Sequence, residues 1–440
     1  MKRIVIILAI IWVGTFLQAQ DKEKDIAGQW NGVISIQGVS LRIIFHINKD
    51  TNGYKSTMDS PDQGATGIPV ATTKFDGSML SLEVPNLALI YEGDFKTDSI
   101  AGILKQGTLS VPMTLKPGTN HISVAATDAT DNGIVLKTST GDISGALLAL
   151  ENETKDIIVL FICGSGPTDR NGNNLQMPNN SIRFLAEDIY SAGIPSVRYD
   201  KRGIAASAAA GGREDELRFS HYVDDARAWI DFLCKDYNRV VVIGHSEGAQ
   251  IGVLAAIGNP NVAAVVTIAG AGRKLDEVIK AQLAKQSEQL LAMAEPLIES
   301  LKNGATIAEV PPVLVSLFRP SVQPYLISWF ATDPAAEIAR LTVPVLIIQG
   351  ETDIQTSPED ATLLQKAQPQ AKMVIIPNMN HVFKECSSTD RMQQIQTYMN
   401  PNLKNIPVLS HEIIGFIESV KKMNYFTSFG NDGETDLTQQ

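Results

Sequence analysis

The chain is poor in cysteine, in basic runs and in metal-binding patterns. Its three cysteines in 440 residues, Cys163, Cys234 and Cys386, do not make a disulfide framework. Cys163 and Cys234 sit in apolar strand and helix contexts, where a buried free thiol is expected. No C-x-x-C, H-E-x-x-H or acidic calcium loop occurs, so no structural or catalytic metal is implied, and no cofactor either. No Lys/Arg-rich run occurs, and the formal net charge is −11. Nucleic acid and anionic membrane surfaces are therefore poor candidate partners. The apolar run at the N-terminus, residues 4–17, is 14 residues long, too short to span a bilayer comfortably. With Lys2 and Arg3 before it and Ala19 after it, the run reads as a secretory signal peptide over residues 1–19, although Leu17 fits the cleavage pattern poorly. Losing those two cations takes the formal charge from −11 to −13. A periplasmic or secreted protein is expected, with no stable membrane insertion once the signal is removed.

The remaining length has room for two or three domains, and 44% hydrophobic residues suffice for packed cores. Residues 20–118 read as all β. Short alternating runs (Val33–Ile36, Leu41–Ile47, Met79–Val84, Leu87–Tyr91, Leu109–Leu115) are separated by turn signals at Asn52–Gly53, Asp76–Gly77 and Gly93–Asp94. That spacing predicts a small meander, barrel or sandwich. A polar loop, Asp59 to Gly64, interrupts it, either as a structural turn or as a rim for the cleft of the next domain. Residues 119–425 alternate strand with helix, which predicts a largely parallel sheet covered on both faces. Residues 272–340 break the alternation with Leu/Ala-rich helices cut by Pro311, Pro312, Pro320 and Pro324. An insertion of this kind is expected to cap the site and to line it with Leu317, Phe318, Trp329 and Phe330. Residues 426–440 read as a flexible polar tail.

The chemistry centres on Gly244–His245–Ser246–Glu247–Gly248. The β-branched run Val240–Ile243 precedes it and a helical stretch from Ala249 follows, the context in which G-x-S-x-G forms a nucleophile elbow. Both glycines are needed, because a Cβ at either position would collide with the neighbouring strand and helix. A serine of ordinary pKa needs a base and a group to orient that base. Of the six histidines, His381 alone follows a late strand and a short loop, at the edge where open α/β sheets collect their ligands. Asp353 lies in a turn directly after the strand Val343–Ile348 and is the expected acid, with Glu351 its nearest rival. The oxyanion of the reaction needs two amide donors, each worth about 3–4 kcal/mol of barrier. Glu247 supplies one. The other is expected from the glycine-containing loop Cys163–Gly164–Ser165–Gly166–Pro167, with Ser165 favoured and Gly166 next. The chain order Ser246, Asp353, His381 is that of an α/β-hydrolase.

Gly164–Ser165–Gly166–Pro167, Arg198–Tyr199–Asp200–Lys201–Arg202–Gly203, the elbow, Gly350–Glu351–Thr352–Asp353 and Asn380–His381 together resemble secreted bacterial α/β-hydrolases of the esterase type, which carry an N-terminal β domain. The Ser60–Pro61–Asp62–Gln63–Gly64 loop resembles that domain, so the likeness spans nearly all of residues 25–425. It implies carboxylic-ester hydrolysis, with Asp200 and Arg202 as loop stabilisers. With the insertion, the triad and the polar loop, the expectation is an α/β-hydrolase fold with a helical cap that cleaves carboxylic esters of small soluble substrates through an acyl-enzyme. Relatives often have histidine where this chain has Cys163, and glycine where it has Ala205. Residues 387–404 look like extra sequence that narrows access beside His381. Three other readings stay open. A serine peptidase would need a placed carboxylate, for which Glu288, Glu295 and Glu299 are ambiguous candidates. An acyl-CoA thioesterase is disfavoured by the signal peptide. A non-catalytic envelope-binding protein would rest on the β domain.

Overall fold

The computed structural model describes residues 25–36, 39–51, 53–60, 65–106, 109–118, 132–150, 154–174 and 177–429. The expected signal peptide, positions 61–64 of the polar loop and the tail beyond residue 429 lie outside the described residues. The chain forms two compact units, one built on each of two sheets.

The first unit consists of β1 (Gly28–Ile36), β2 (Val39–Asp50), β3 (Gly53–Ser60), β4 (Ala65–Val70), β5 (Thr72–Phe75), β6 (Met79–Val84), β7 (Leu89–Phe95), β8 (Ile100–Gln106) and β9 (Leu109–Pro117). They form one sheet in the order β4-β3-β2-β1-β9-β8-β7-β6-β5. Side chains alternate in and out with the period of two that strands impose. Ile43, Phe45 and Ile47 of β2 point inward, as do Leu80, Leu82 and Val84 of β6. The far ends of the sheet meet: Thr73 Oγ1 on β5 donates to Ser56 Oγ on β3 at 2.9 Å, and the Tyr54 and Phe75 rings touch edge to face. The meander is therefore barrel-like, around a single apolar core. Gly93–Asp94, expected as a turn, lies inside β7. Gly93 is required there by packing, since a Cβ on it would sit 2.6 Å from the Tyr91 hydroxyl.

The second unit holds β10 (Asn132–Thr138), β11 (Gly141–Leu148), β12 (Ile157–Ile162), β13 (Ser196–Tyr199), β14 (Arg239–His245), β15 (Val262–Ile268), β16 (Val345–Gly350) and β17 (Lys372–Ile376). Their order is β10-β11-β13-β12-β14-β15-β16-β17. β10, β11 and β13 pair antiparallel in succession, and every other neighbour pair is parallel. The central strands are buried along their whole length, as a sheet covered on both faces demands. α1 (Ser181–Ser191) and α11 (Pro407–Phe429) cover one face. α2 (Phe219–Leu233) and α3 (Glu247–Ala256) cover the other.

The expected insertion between β15 and β16 is present as five helices: α4 (Leu275–Gln286), α5 (Glu288–Lys302), α6 (Val315–Phe318), α7 (Gln323–Phe330) and α8 (Pro334–Ile338). α9 (Pro358–Ala367) packs on β16, and α10 (Arg391–Tyr398) forms within the extra sequence after His381. Among the described residues no helix is long and apolar enough to cross a membrane.

Candidate active site

Ser246 stands between the end of β14 and the start of α3 with φ 53° and ψ −118°, a strained backbone for a residue with a Cβ. The flanking glycines make the turn sterically feasible. A Cβ on Gly244 would lie 2.1 Å from the Gly248 carbonyl oxygen, and one on Gly248 would lie 2.2 Å from that of Ile162. Neither fits. The Ser246 amide donates to the Ile268 carbonyl at 2.9 Å, tying the turn to β15. Its hydroxyl makes no capping bond to α3.

His381 follows β17 across the turn Pro377–Asn380, and its Nδ1–H donates to Asp353 Oδ2 at 2.7 Å. The two side chains are 5% and 0% exposed, so the pair is shielded from solvent competition. Asp353 also accepts from the amides of Gln355 (2.7 Å) and Thr356 (3.1 Å), from Thr356 Oγ1 (3.0 Å) and from Gln349 Nε2 (3.1 Å). Burial pushes its carboxyl pKa up, but His381 and these amides outweigh that and hold it below the ordinary carboxylate value. Glu351, the rival acid, is exposed and accepts from the Asn378 amide. α10 braces both loops: Gln394 Nε2 donates to the Thr352 carbonyl at 3.0 Å, and Asn380 Nδ2 donates to Thr397 Oγ1 at 2.7 Å.

His381 reaches the elbow through His245. The two rings lie 4.8 Å apart, and His245 Nε2–H donates to the His381 carbonyl at 2.9 Å. Burial drives the His245 pKa down to about 3, so this ring is neutral, and the bond to a carbonyl fixes its tautomer. Sequence reasoning had no role for it. A histidine set behind four buried aliphatic residues was the available signal.

The loop after β12 runs beside the serine: a Cβ on Gly164 would lie 3.2 Å from Ser246 Cβ. Ser165 and Gly166 are exposed. Among the described residues, neither the Ser165 nor the Glu247 amide donates to another protein group. Asp200 and Arg202 hold loops, as the resemblance implied. Arg170 grips Asp200 with its amide (2.7 Å) and guanidinium (2.6 Å), and Arg202 forks onto Asp225 at 2.6 and 2.5 Å. Cys163 is buried, its thiol pKa raised to about 12 by desolvation, and it donates to the Asp169 carbonyl. Ala205 occupies a left-handed conformation at φ 44°, which explains why glycine suits that position.

Between Asp200 and Arg202 lies a residue that sequence reasoning passed over. Lys201 is buried, and its Nζ donates to Glu247 Oε2 at 2.5 Å and to the Gly164 carbonyl at 2.6 Å. Tyr325 of α7 donates its hydroxyl to the other oxygen of Glu247.

The four residues expected to line an acyl pocket do not share one surface. Phe318 is fully enclosed in the core and offers no surface to a ligand. Its neighbour Leu317, about 100° further round the helix, is exposed. Phe330 is buried among the insertion helices. Trp329 is half-buried: its ring stacks on Phe219 at 5.0 Å, and its Nε1–H donates to Gln250 Oε1 of α3 at 2.7 Å. Among the described residues no group of three or more His, Cys, Asp or Glu side chains is placed to hold a metal ion.

A parallel sheet with an antiparallel start, a strained serine after its fifth strand and a buried His–Asp pair beyond later strands define an α/β-hydrolase. Residues 159–392, just over half of the chain, match the model of the alpha/beta hydrolase family, and the chain belongs to that family. It is similar to Esterase EstD of Thermotoga maritima, 28% identical over 381 residues that cover 83% of this chain and 81% of the esterase. Among solved structures it is similar to Est1E from Butyrivibrio proteoclasticus, with 14% identity and a TM-score of 0.44, over 66% of this chain and 99% of that one. Another is the proline iminopeptidase of Mycobacterium smegmatis, with 14% identity and a TM-score of 0.46, over 67% and 100%.

Proposed function

We propose that the protein hydrolyses carboxylic esters of small soluble substrates through an acyl-enzyme on Ser246. The observation that carries this reading is the strained Ser246, next in sequence to His245, whose ring lies 4.8 Å from that of His381 in the solvent-shielded His381–Asp353 pair. Ser246 Oγ attacks the ester carbonyl while His381 Nε2 takes its proton and hands it to the leaving alcohol. Asp353 keeps the proton on His381 Nδ1 and stabilises the imidazolium as it forms. The amides of Glu247 and Ser165, with Gly166 beside them, face the negative charge that develops on the carbonyl oxygen. Water activated by His381 then releases the acyl group, and the cycle needs no cofactor. The name of the esterase relative agrees with this substrate class.

The partly open Trp329 is the aromatic we assign to the acyl side of the site, while Phe318 and Phe330 serve the packing of the insertion and Leu317 is exposed. A peptidase reading finds less support. Glu288, Glu295 and Glu299 are all exposed, and Glu299 is already paired with Lys280 at 2.8 Å. The N-terminal segment supports export, and a secreted or periplasmic enzyme is part of the proposal.

The test is turnover of p-nitrophenyl esters of graded chain length beside aminoacyl-nitroanilides and acyl-CoAs. Turnover of the short esters well above the other two classes is expected. A preference for nitroanilides or acyl-CoAs would replace the reading. Trp329→Ala should shift the preferred chain length while leaving acetyl ester hydrolysis in place.

A further inference from the structure

Lys201 makes contacts that loop stabilisation does not require. Its ammonium has three N–H donors. One goes to the Gly164 carbonyl at 2.6 Å, one to Glu247 Oε2 at 2.5 Å, and the Tyr222 ring lies 4.8 Å away. The lysine and glutamate side chains are 1% and 2% exposed. Replacing a buried ion pair of this kind by apolar side chains is often neutral or stabilising, so stability alone does not explain it.

Its two polar partners belong to the two segments that supply the oxyanion donors. The peptide that joins Gly164 to Ser165 carries the Gly164 carbonyl and the Ser165 N–H in one plane, and every described peptide bond is trans. The two groups therefore point in opposite directions. Anchoring the carbonyl on Lys201 turns the Ser165 N–H away from the lysine and polarises it as a donor. The same ammonium holds the side chain of Glu247, whose own amide is the second donor, and Tyr325 secures the other carboxylate oxygen.

We propose that Lys201 is the positioning residue of the oxyanion hole, a single buried cation that fixes the orientation of the Ser165 amide and its separation from the Glu247 amide. This rests on the ester-hydrolase reading above. With the lysine gone, the Gly164–Ser165 peptide is free to rotate, and one oxyanion donor is lost from the transition state but not from the bound substrate.

The experiment compares wild type, Ser246→Ala, Lys201→Met and the triple variant Lys201→Met/Glu247→Leu/Tyr325→Phe. The triple variant replaces the whole buried polar group by apolar side chains, so no orphaned charge remains to unfold the protein. Each is assayed for p-nitrophenyl acetate kinetics, thermal unfolding and inhibition by phenylboronic acid, which forms a tetrahedral adduct on serine. We expect the triple variant to fold, with kcat lower by about 10²-fold or more and KM within about threefold of wild type. Boronate affinity should fall in parallel with kcat, a coupling that a merely structural role would not produce. A folded Lys201→Met or triple variant with wild-type kcat and boronate affinity overturns the role of Lys201. If wild type and Ser246→Ala turn over the ester equally, the ester-hydrolase reading itself fails, whatever the lysine variants do.

Discussion

The two sheets handle polarity in opposite ways. In the barrel-like sheet the described buried side chains are apolar apart from Ser56 and Ser60, and the charged residues face outward. In the eight-stranded sheet the strands are largely apolar, with Ser196, Arg198, Thr267 and Gln349 as buried exceptions, and much of the buried charge gathers where they end. Asp200 and Lys201 follow β13, His245 and Glu247 bracket the end of β14, Asp353 follows β16, and His381 and Lys384 follow β17. An antiparallel sheet with one wetted face sheds its polar groups to solvent. A parallel sheet covered on both faces favours its ends for them, and the carboxyl end is where open α/β sheets bind and react. Damage to the first sheet should therefore register as lost stability, and damage to the second as lost turnover.

The largest effect expected is that of Ser246→Ala. Ester hydrolysis should fall by about 10⁴-fold or more with thermal unfolding little changed, because the hydroxyl makes no capping bond to α3. Near-normal kcat in the variant would place the nucleophile elsewhere. Asp353→Asn should cost a comparable factor of about 10⁴, since the amide presents the wrong group to His381 Nδ1–H, whereas Glu351→Gln should stay within about threefold. A reversal of that ranking in steady-state kinetics would assign the acid to Glu351.

The barrel-like sheet should behave otherwise. Leu82→Ala removes a fully buried side chain and should lower unfolding stability by about 2–5 kcal/mol in denaturant titration, with the folded fraction keeping wild-type kcat. A fall in kcat that tracks the fall in stability would erase the distinction between the sheets. A further effect concerns pH. His245 has a folded pKa of about 3 against an ordinary 6.5, so between these values the unfolded chain binds the extra proton. Its contribution is complete above pH 6.5 and is lost as pH falls toward 3, at about 1.4 kcal/mol per pH unit. His245→Gln should flatten acid destabilisation across that window, and an unchanged slope in chemical unfolding would mean that the ring is not held neutral.

Much of the candidate site's placement was legible in the sequence because each group follows a strand with an unmistakable pattern. Val240–Ile243, Val343–Ile348 and Met373–Ile376 are apolar runs that end in glycine or a turn, and Ser246, Asp353 and His381 come directly after them. Lys201 was hidden by its neighbours: Asp200 and Arg202 gave the segment a structural explanation, and nothing local says that the lysine turns inward alongside Asp200. In the first sheet β3, β4, β5 and β8 were missed. The inward positions of β3 include Ser56 and Ser60, so its alternation is not one of hydrophobicity. In β8, Gly102 faces Gly93 on β7, where a Cβ would lie 2.1 Å from the Glu92 carbonyl oxygen, so close packing there also reads as a turn signal. The expected acyl lining failed as a set because proline-broken helices do not reveal from composition which face they bury.

The central claim is that Ser246 is the nucleophile and that His381 activates it. Its most direct test is covalent labelling of the full chain with a fluorophosphonate, followed by peptide mapping and parallel assay of p-nitrophenyl acetate hydrolysis. The account predicts one adduct on the peptide carrying Ser246, formed in step with loss of activity and slowed strongly by His381→Ala. Complete inactivation with Ser246 unlabelled, or labelling of Ser246 at an unchanged rate in His381→Ala, would contradict it.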